Sequence, residues 1–194
     1  MENPAVGKFI EIKEKKTWSD VKKEVDFSKL RPIDLSSQHR VFFIVGKPGV
    51  GKSTYMLWSL DESLQNRSWF FNKIVFLNPN QYSQWAEALS DYDSERTLLV
   101  IDALWRGSDT HEIFKRRCSH LFTLAFEGEK IGERTIGPFK VLITIRQDEC
   151  NSLLSQKEFA GIPHTVFCKC HITPERLDFV KILQKYLDCY KVPY

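Results

Sequence analysis

Short apolar runs alternate with segments of helical periodicity along most of this chain. The runs are rich in Val, Ile, Leu and Phe, as is typical of strands buried on both faces. They predict strands at 41–45, 73–77, 97–102, 139–146 and 165–168. The segments between them repeat apolar residues at helical spacing and predict helices near 54–60, 82–89, 110–126, 148–156 and from 173 onward. This alternation predicts an α/β fold, a three-layer sandwich around a mostly parallel five-stranded sheet.

The chain divides by composition into a polar leader at 1–39 and a core domain at 40–194. Thr17 and Asp20 form a capping pair that predicts a short helix in the leader. The leader either covers the adenine side of a nucleotide or links the core to a preceding segment. In the core, the glycine-rich stretch 127–137 predicts a loop, and 115–117 predicts a solvated basic helix face.

The first predicted strand leads directly into a glycine-rich motif. Its residues are Gly46, Lys47, Pro48, Gly49, Val50, Gly51, Lys52, Ser53 and Thr54. They match G-x-x-x-x-G-K-[ST], the phosphate-binding P-loop or Walker A motif, between a strand and a helix as that motif requires. Glycines let the backbone approach phosphate oxygens, and the helix N-terminus adds partial positive charge. We expect Lys52 to reach the β- and γ-phosphates and Ser53 to bind Mg²⁺.

A second chemical signal is the aspartate that ends the strand at 97–102. An acid after a buried strand lies at the carboxyl edge of the sheet, where α/β proteins bind ligands. A P-loop protein needs such an acid, the Walker B residue, to hold Mg²⁺. Asp102 is therefore predicted to be the second metal-binding residue beside Ser53.

These motifs together resemble the P-loop ATPases of the STAND and AAA+ groups (ASCE type), over residues 40–190. The stretch 98–105 looks like the STAND Walker B segment, and 143–146 looks like the sensor segment of these families. The resemblance implies a P-loop NTPase sheet that binds ATP and Mg²⁺. It also implies that Thr144 and Arg146 approach the γ-phosphate and, with Lys52 and Asp102, form the catalytic set.

Two features depart from the family pattern. Ala103 stands where the family has a second acid that acts on the attacking water, so hydrolysis of ATP to ADP and phosphate is expected to be slow. Asp109, Glu112 and Asp148 are candidate substitutes on nearby loops or helix starts. The helical lid that follows the core in the family is also predicted to be absent or truncated.

Three functions follow from these residues. The first is a nucleotide-dependent switch or slow ATPase. The second is a P-loop kinase for a small molecule, with lid arginines drawn from Arg106, Arg116, Arg117 and Arg134. Kinases usually place the Walker B strand beside the P-loop strand, whereas the STAND and AAA+ order separates them. The third is a scaffold module that holds nucleotide without hydrolysing it.

Composition indicates the cellular location of the protein and the classes of ligand that it is expected to bind. The chain has 194 residues and a net charge of +3, which is too small to indicate nucleic acid. No signal peptide or membrane-length apolar run is present in the sequence, and five scattered cysteines fit reduced thiols, so a cytoplasmic location is expected. The Cys-Lys-Cys-His stretch at 168–171 lies in a strand-like run and is not expected to bind metal. A protein partner or self-association is left open.

Overall fold

The computed structural model describes residues 6–7, 31–65, 70–104 and 109–172. Within these residues the main sheet contains β1 (Val6–Gly7), β2 (Val41–Val45), β3 (Lys73–Leu77), β4 (Thr97–Ile101), β7 (Lys140–Ile145) and β8 (Phe167–His171). A separate hairpin contains β5 (Glu129–Ile131) and β6 (Arg134–Ile136). The strand order in the sheet is β1-β3-β4-β7-β2-β8, and only the short edge strand β1 is antiparallel to its neighbour.

Helices cover both faces of this sheet. They are α1 (Lys52–Gln65), α2 (Trp85–Ala88), α3 (His111–Phe122), α4 (Gln147–Leu154) and α5 (Lys157–Ala160), with 3-10 turns at Pro79–Gln84 and His164–Val166 and a π turn at Thr123–Glu127. Met56 and Trp58 of α1 pack on the face that includes Phe42, while Phe114 of α3 packs on the opposite face with Phe43. The α/β class and the mostly parallel sheet are thus confirmed. None of the helices in the described ranges is long and apolar enough to cross a bilayer.

Strand β2 lies between β7 and the edge strand β8 and pairs with both. Its five residues are fully buried, and each pairs with β7 on one side and β8 on the other. Val45 lies opposite Ile145 in β7, and Ile101 in β4 lies opposite Ile143. Because these pairings are parallel, the chain leaves β2, β4 and β7 at the same edge of the sheet.

Most predicted elements match the structure closely, including the strands at 41–45 and 73–77. The helix predicted at 110–126 is α3 followed by the π turn, with Thr110 as N-cap: its side chain accepts a 3.3 Å hydrogen bond from the backbone N–H of Ile113. The helices predicted in the leader and from residue 173 onward lie outside the described residues.

Two predicted elements differ from the structure, the last strand in its bounds and the stretch 127–137 in its type. The last strand was expected at 165–168, but residues 164–166 form a 3-10 turn and the strand is Phe167–His171. This strand pairs with β2 at the edge of the sheet. It can contain polar residues because an edge strand is only partly buried. The stretch 127–137 was expected to be a loop but contains the β5–β6 hairpin, in which Gly132 adopts a φ of 60° that suits a tight hairpin turn.

Residues 31–37, assigned by composition to the leader, pack against the sheet. Ile33 and Leu35 are buried in the same cluster as α1. The Tyr55 hydroxyl of α1 donates a 2.6 Å hydrogen bond to the Arg31 carbonyl. The Lys140 ammonium of β7 donates a hydrogen bond to the Leu35 carbonyl at 3.3 Å. This segment therefore belongs to the layer that α1 forms.

The prediction of a solvated basic face at 115–117 was wrong for Arg117, which is buried. Its side chain is only 3% exposed and forms an ion pair with Asp109, which is 8% exposed. The guanidinium also donates to the Leu104 carbonyl at 2.9 Å and to the Asn80 side chain at 3.3 Å. Arg117 is therefore an interior residue that joins α3 to the segments that follow β3 and β4.

We expect Arg117→Ala to lower the free energy of unfolding by about 3–5 kcal/mol, because it removes the guanidinium that pairs with the buried Asp109 carboxylate. Arg116→Ala is the matched control, since Arg116 is 64% exposed and its pair with Glu112 lies on the surface. An exposed pair of this kind contributes little to stability, because water and salt screen it. Urea unfolding at pH 7 measures both variants, and equal small losses would contradict the interior role of Arg117.

Candidate functional site

The glycine-rich segment joins the end of β2 to the start of α1. The Gly46 N–H donates to the Ile145 carbonyl at 3.3 Å, which continues the pairing of β2 with β7. A Cβ at Gly46 would meet the Ile172 carbonyl at 2.9 Å and Val50 Cγ1 at 2.8 Å. Gly49 and Gly51 have φ values of 73° and 89°, which L side chains rarely adopt. The local backbone therefore requires glycine at these positions.

The side chain of Lys52 folds back over this loop. Its ammonium donates to the carbonyl of Gly46 at 3.1 Å and to that of Lys47 at 2.9 Å. Burial lowers the pKa of Lys52, while the carboxylates of Glu149 and Asp102 act to raise it. The cation is thus held at the loop and N-terminus of α1, where backbone N–H groups favour an anion.

Ser53 and Asp102 meet at the carboxyl edge of the sheet. The Ser53 hydroxyl lies 2.9 Å from each carboxylate oxygen of Asp102, although the residues are 49 positions apart in sequence. Hydroxyl and carboxylate oxygens are suitable Mg²⁺ ligands, and Mg²⁺ keeps several waters and needs few protein ligands. The donor set at these two residues therefore fits Mg²⁺. Within the described residues, no group of three or more His, Cys, Asp or Glu side chains could hold a metal ion.

Thr144 joins the same cluster from β7. Its hydroxyl donates to Asp102 Oδ1 and accepts a 2.8 Å hydrogen bond from the Ala103 N–H. The register explains the contact, because Ile101 pairs with Ile143 and the next residues on each strand are therefore neighbours. The structure thus brings together Ser53, Asp102 and Thr144, three of the residues that the sequence singled out.

Arg146 is not part of this cluster in the structure. Its guanidinium turns toward the start of α4 and pairs with Asp148 at 2.7 Å and 3.1 Å. Its Nε also lies 3.5 Å from the Glu149 carboxylate. Of the residues expected to act with Lys52, Asp102 and Thr144 therefore contact each other. Arg146 is instead paired with Asp148.

The acids proposed to replace the missing one at position 103 have other partners. Asp109 is paired with Arg117, Glu112 with Arg116, and Asp148 with Arg146.

Sequence reasoning missed Glu149, which is 8% exposed and acts on the charge of Lys52. Its carboxylate accepts a 3.0 Å hydrogen bond from the backbone N–H of Arg146 at the start of α4. The signal that could have found it is an acid three residues after the end of a predicted buried strand, at a helix start.

No model of a known protein family matches this chain, and no curated protein matches it either. The physical support for a function therefore comes from the residues that meet at this edge of the sheet.

Burial raises the pKa of the Glu149 carboxyl above its ordinary value of 4.5, against the opposing effects of the Arg146 N–H and of nearby positive charges. A carboxyl whose pKa is raised by folding stabilises the protein fully below its unfolded-state pKa. That stability is lost as pH rises through the folded-state pKa, because the buried group must then ionise.

Glu149→Gln keeps a side-chain oxygen that can accept from the Arg146 N–H and does not ionise. We therefore expect the variant to gain stability relative to the wild type as pH rises from 4 toward 7, by about 1.4 kcal/mol for each unit of pKa difference between the folded and unfolded states. Urea unfolding of both proteins at several pH values measures this difference. A difference that stays constant or shrinks as pH rises would contradict the prediction.

Proposed function

We propose that this chain is an ATP-binding P-loop domain of the STAND/AAA+ type that acts as a nucleotide-dependent switch or slow ATPase. The observation that carries the proposal is the contact between Ser53 and Asp102, at 2.9 Å. A serine at the first turn of the helix after a glycine loop thereby meets an acid at the end of another parallel strand. This is the pairing that a phosphate-bound Mg²⁺ requires.

The order of strands supports an ATPase of this type over a kinase. β7 lies between β2, which carries the loop, and β4, which carries Asp102. P-loop kinases usually place these two strands side by side. Of the proposed lid arginines, Arg117 is buried in an ion pair and Arg106 lies outside the described residues.

The residues of the loop would bind phosphate in a defined way. Backbone N–H groups from Gly49 to Ser53 would supply donors, since the Gly46 N–H is bonded to the Ile145 carbonyl, and the N-terminus of α1 would add partial positive charge. The Lys52 ammonium, now donating to two carbonyls of its own loop, would donate to the phosphates instead. Mg²⁺, held by Ser53 and by Asp102 through water, would neutralise charge on the phosphate oxygens.

Slow turnover is part of the proposal. Ala103 cannot accept a proton or orient water, and general-base assistance is typically worth about 10²–10⁴-fold in rate. Asp109, Glu112 and Asp148 each have an arginine partner in the structure. The same absence of an acid at position 103 favours the scaffold function, a module that retains nucleotide without hydrolysing it.

The first test is nucleotide binding. We expect Mg-ATP at about a hundred times its dissociation constant to add about 2.7 kcal/mol to the free energy of unfolding. For a domain of this size, that raises the melting temperature by roughly 5–10 °C, since 1 kcal/mol moves it about 2–4 °C.

Lys52→Ala should abolish most of this shift, because it removes the charge that faces the phosphates. Lys115→Ala is the matched control, since it removes an equal charge from an exposed position on α3. Thermal melts with and without Mg-ATP check both variants. Superimposable melts of the wild type at millimolar Mg-ATP, or equal shifts in both variants, would overturn the proposal.

The second test is hydrolysis. We expect single-turnover cleavage of ATP well below about 1 s⁻¹, whereas typical enzymes turn over at about 1–10³ s⁻¹. A fast rate independent of protein concentration would contradict the slow-switch function. A rate that rises with protein concentration would indicate that an assembly partner supplies the missing group, and no cleavage with tight ATP retention would favour the scaffold function.

A further inference from the structure

The hydroxyl of Thr144 has no hydrogen left for a phosphate. A hydroxyl carries one donor hydrogen. In Thr144 that hydrogen goes to Asp102 Oδ1, and the oxygen accepts from the Ala103 N–H. The residue is also only 1% exposed. A contact with a phosphate oxygen, which can only accept, would therefore cost Thr144 its bond to Asp102.

The residue after Asp102 has an unusual backbone. Ala103 has a φ of 56°, in the left-handed region that residues with a Cβ rarely adopt. Such a conformation persists when surrounding interactions over-determine it. The bond from the Ala103 N–H to Thr144 Oγ1, at 2.8 Å, is such an interaction.

We infer that Thr144 is a positioning residue for Asp102, acting on its carboxylate directly and on the left-handed turn at Ala103 that follows it. The hydroxyl donates to the Asp102 carboxylate and accepts from the Ala103 N–H. It therefore fixes both the side chain of Asp102 and the backbone that follows it. Ser53 then meets a carboxylate that is already oriented. This inference rests on the proposed function only in assigning a divalent cation to Ser53 and Asp102.

Removal of the Thr144 hydroxyl should weaken nucleotide binding only when Mg²⁺ is present. Residues that orient a metal-binding carboxylate typically change metal affinity about 10–100-fold when removed. Thr144→Val should therefore weaken the binding of both ATP and ADP about 10–100-fold in Mg²⁺ and leave their binding in EDTA unchanged. A direct contact of Thr144 with the γ-phosphate would instead weaken ATP binding alone, in Mg²⁺ and in EDTA.

Two further variants separate positioning from packing. Thr144→Ser keeps the hydroxyl and should retain the Mg²⁺-dependent affinity. Ala103→Gly removes the penalty on a positive φ, so Ala103→Gly combined with Thr144→Val should recover part of the loss. If Thr144→Val does not fold, Thr144→Ala removes the same hydroxyl with less crowding. Calorimetric titration with ATP and ADP, in Mg²⁺ and in EDTA, measures each variant.

Amide hydrogen exchange of the nucleotide-free protein tests the inference independently of nucleotide binding. Exchange of the Ala103 amide should accelerate about 3- to 10-fold in Thr144→Val, the factor that corresponds to one net hydrogen bond, and stay slow in Thr144→Ser. Equal exchange in wild type and Thr144→Val would overturn the inference, as would equal loss of affinity in Mg²⁺ and EDTA. Failure of the wild type to bind nucleotide would overturn the proposed function instead, and the amide exchange would still decide the role of Thr144.

Discussion

The parallel pairing of β2 with β7, and of β7 with β4, is the constraint on which the candidate site depends. Val45 pairs with Ile145 and Ile101 with Ile143, so the glycine loop, Asp102 and Thr144 leave the sheet at one edge. A slip of one residue in either pairing would turn the following side chain to the opposite face. The buried side chains of β2 oppose such a slip, because each of them would have to pack against different neighbours on the opposite face of the sheet.

Two partly buried groups of opposite charge, Lys52 and Glu149, interact at this edge of the sheet. Burial disfavours the charged forms of Lys52 and of Glu149, and each of these groups favours the ionised form of the other. Lys52 lies between the glycine loop and these acids, and its ammonium is hydrogen-bonded to loop carbonyls. The loop is therefore held in a folded conformation by the same side chain that the proposed function assigns to phosphate.

Hydrogen bonds of Arg117 connect the residues after Asp102 to helix α3. Arg117 ties α3 to Leu104, Asp109 and Asn80, on the face of the sheet opposite α1. Leu104 follows Ala103, so the Arg117 guanidinium at the Leu104 carbonyl and the Thr144 hydroxyl at the Ala103 N–H constrain these two residues from two sides. These contacts combine one buried charge pair with one strained residue, and both depend on the surrounding packing.

Sequence reasoning was most accurate where a strand is buried on both faces. The run at 41–45 gave a fully buried strand with the predicted bounds, and the run at 97–102 gave the fully buried β4, because a continuous apolar run signals burial directly. It misplaced the bounds of β8 and missed the β5–β6 hairpin, where the strands are short, partly exposed and polar. Their pairing comes from neighbouring strands and from turn geometry, which hydrophobic periodicity does not encode.

The amino-acid sequence by itself determined the α/β class, the buried strands, the glycine loop and the acid at the end of β4, since each leaves a local pattern of residue types. Only the tertiary structure decided which polar side chains meet. It placed Thr144 against Asp102, turned Arg146 toward Asp148, buried Arg117 and brought Glu149 to act on the charge of Lys52. The reason is physical: hydrogen bonds and ion pairs depend on distances between strands and helices far apart in the chain, and local periodicity carries no such distances.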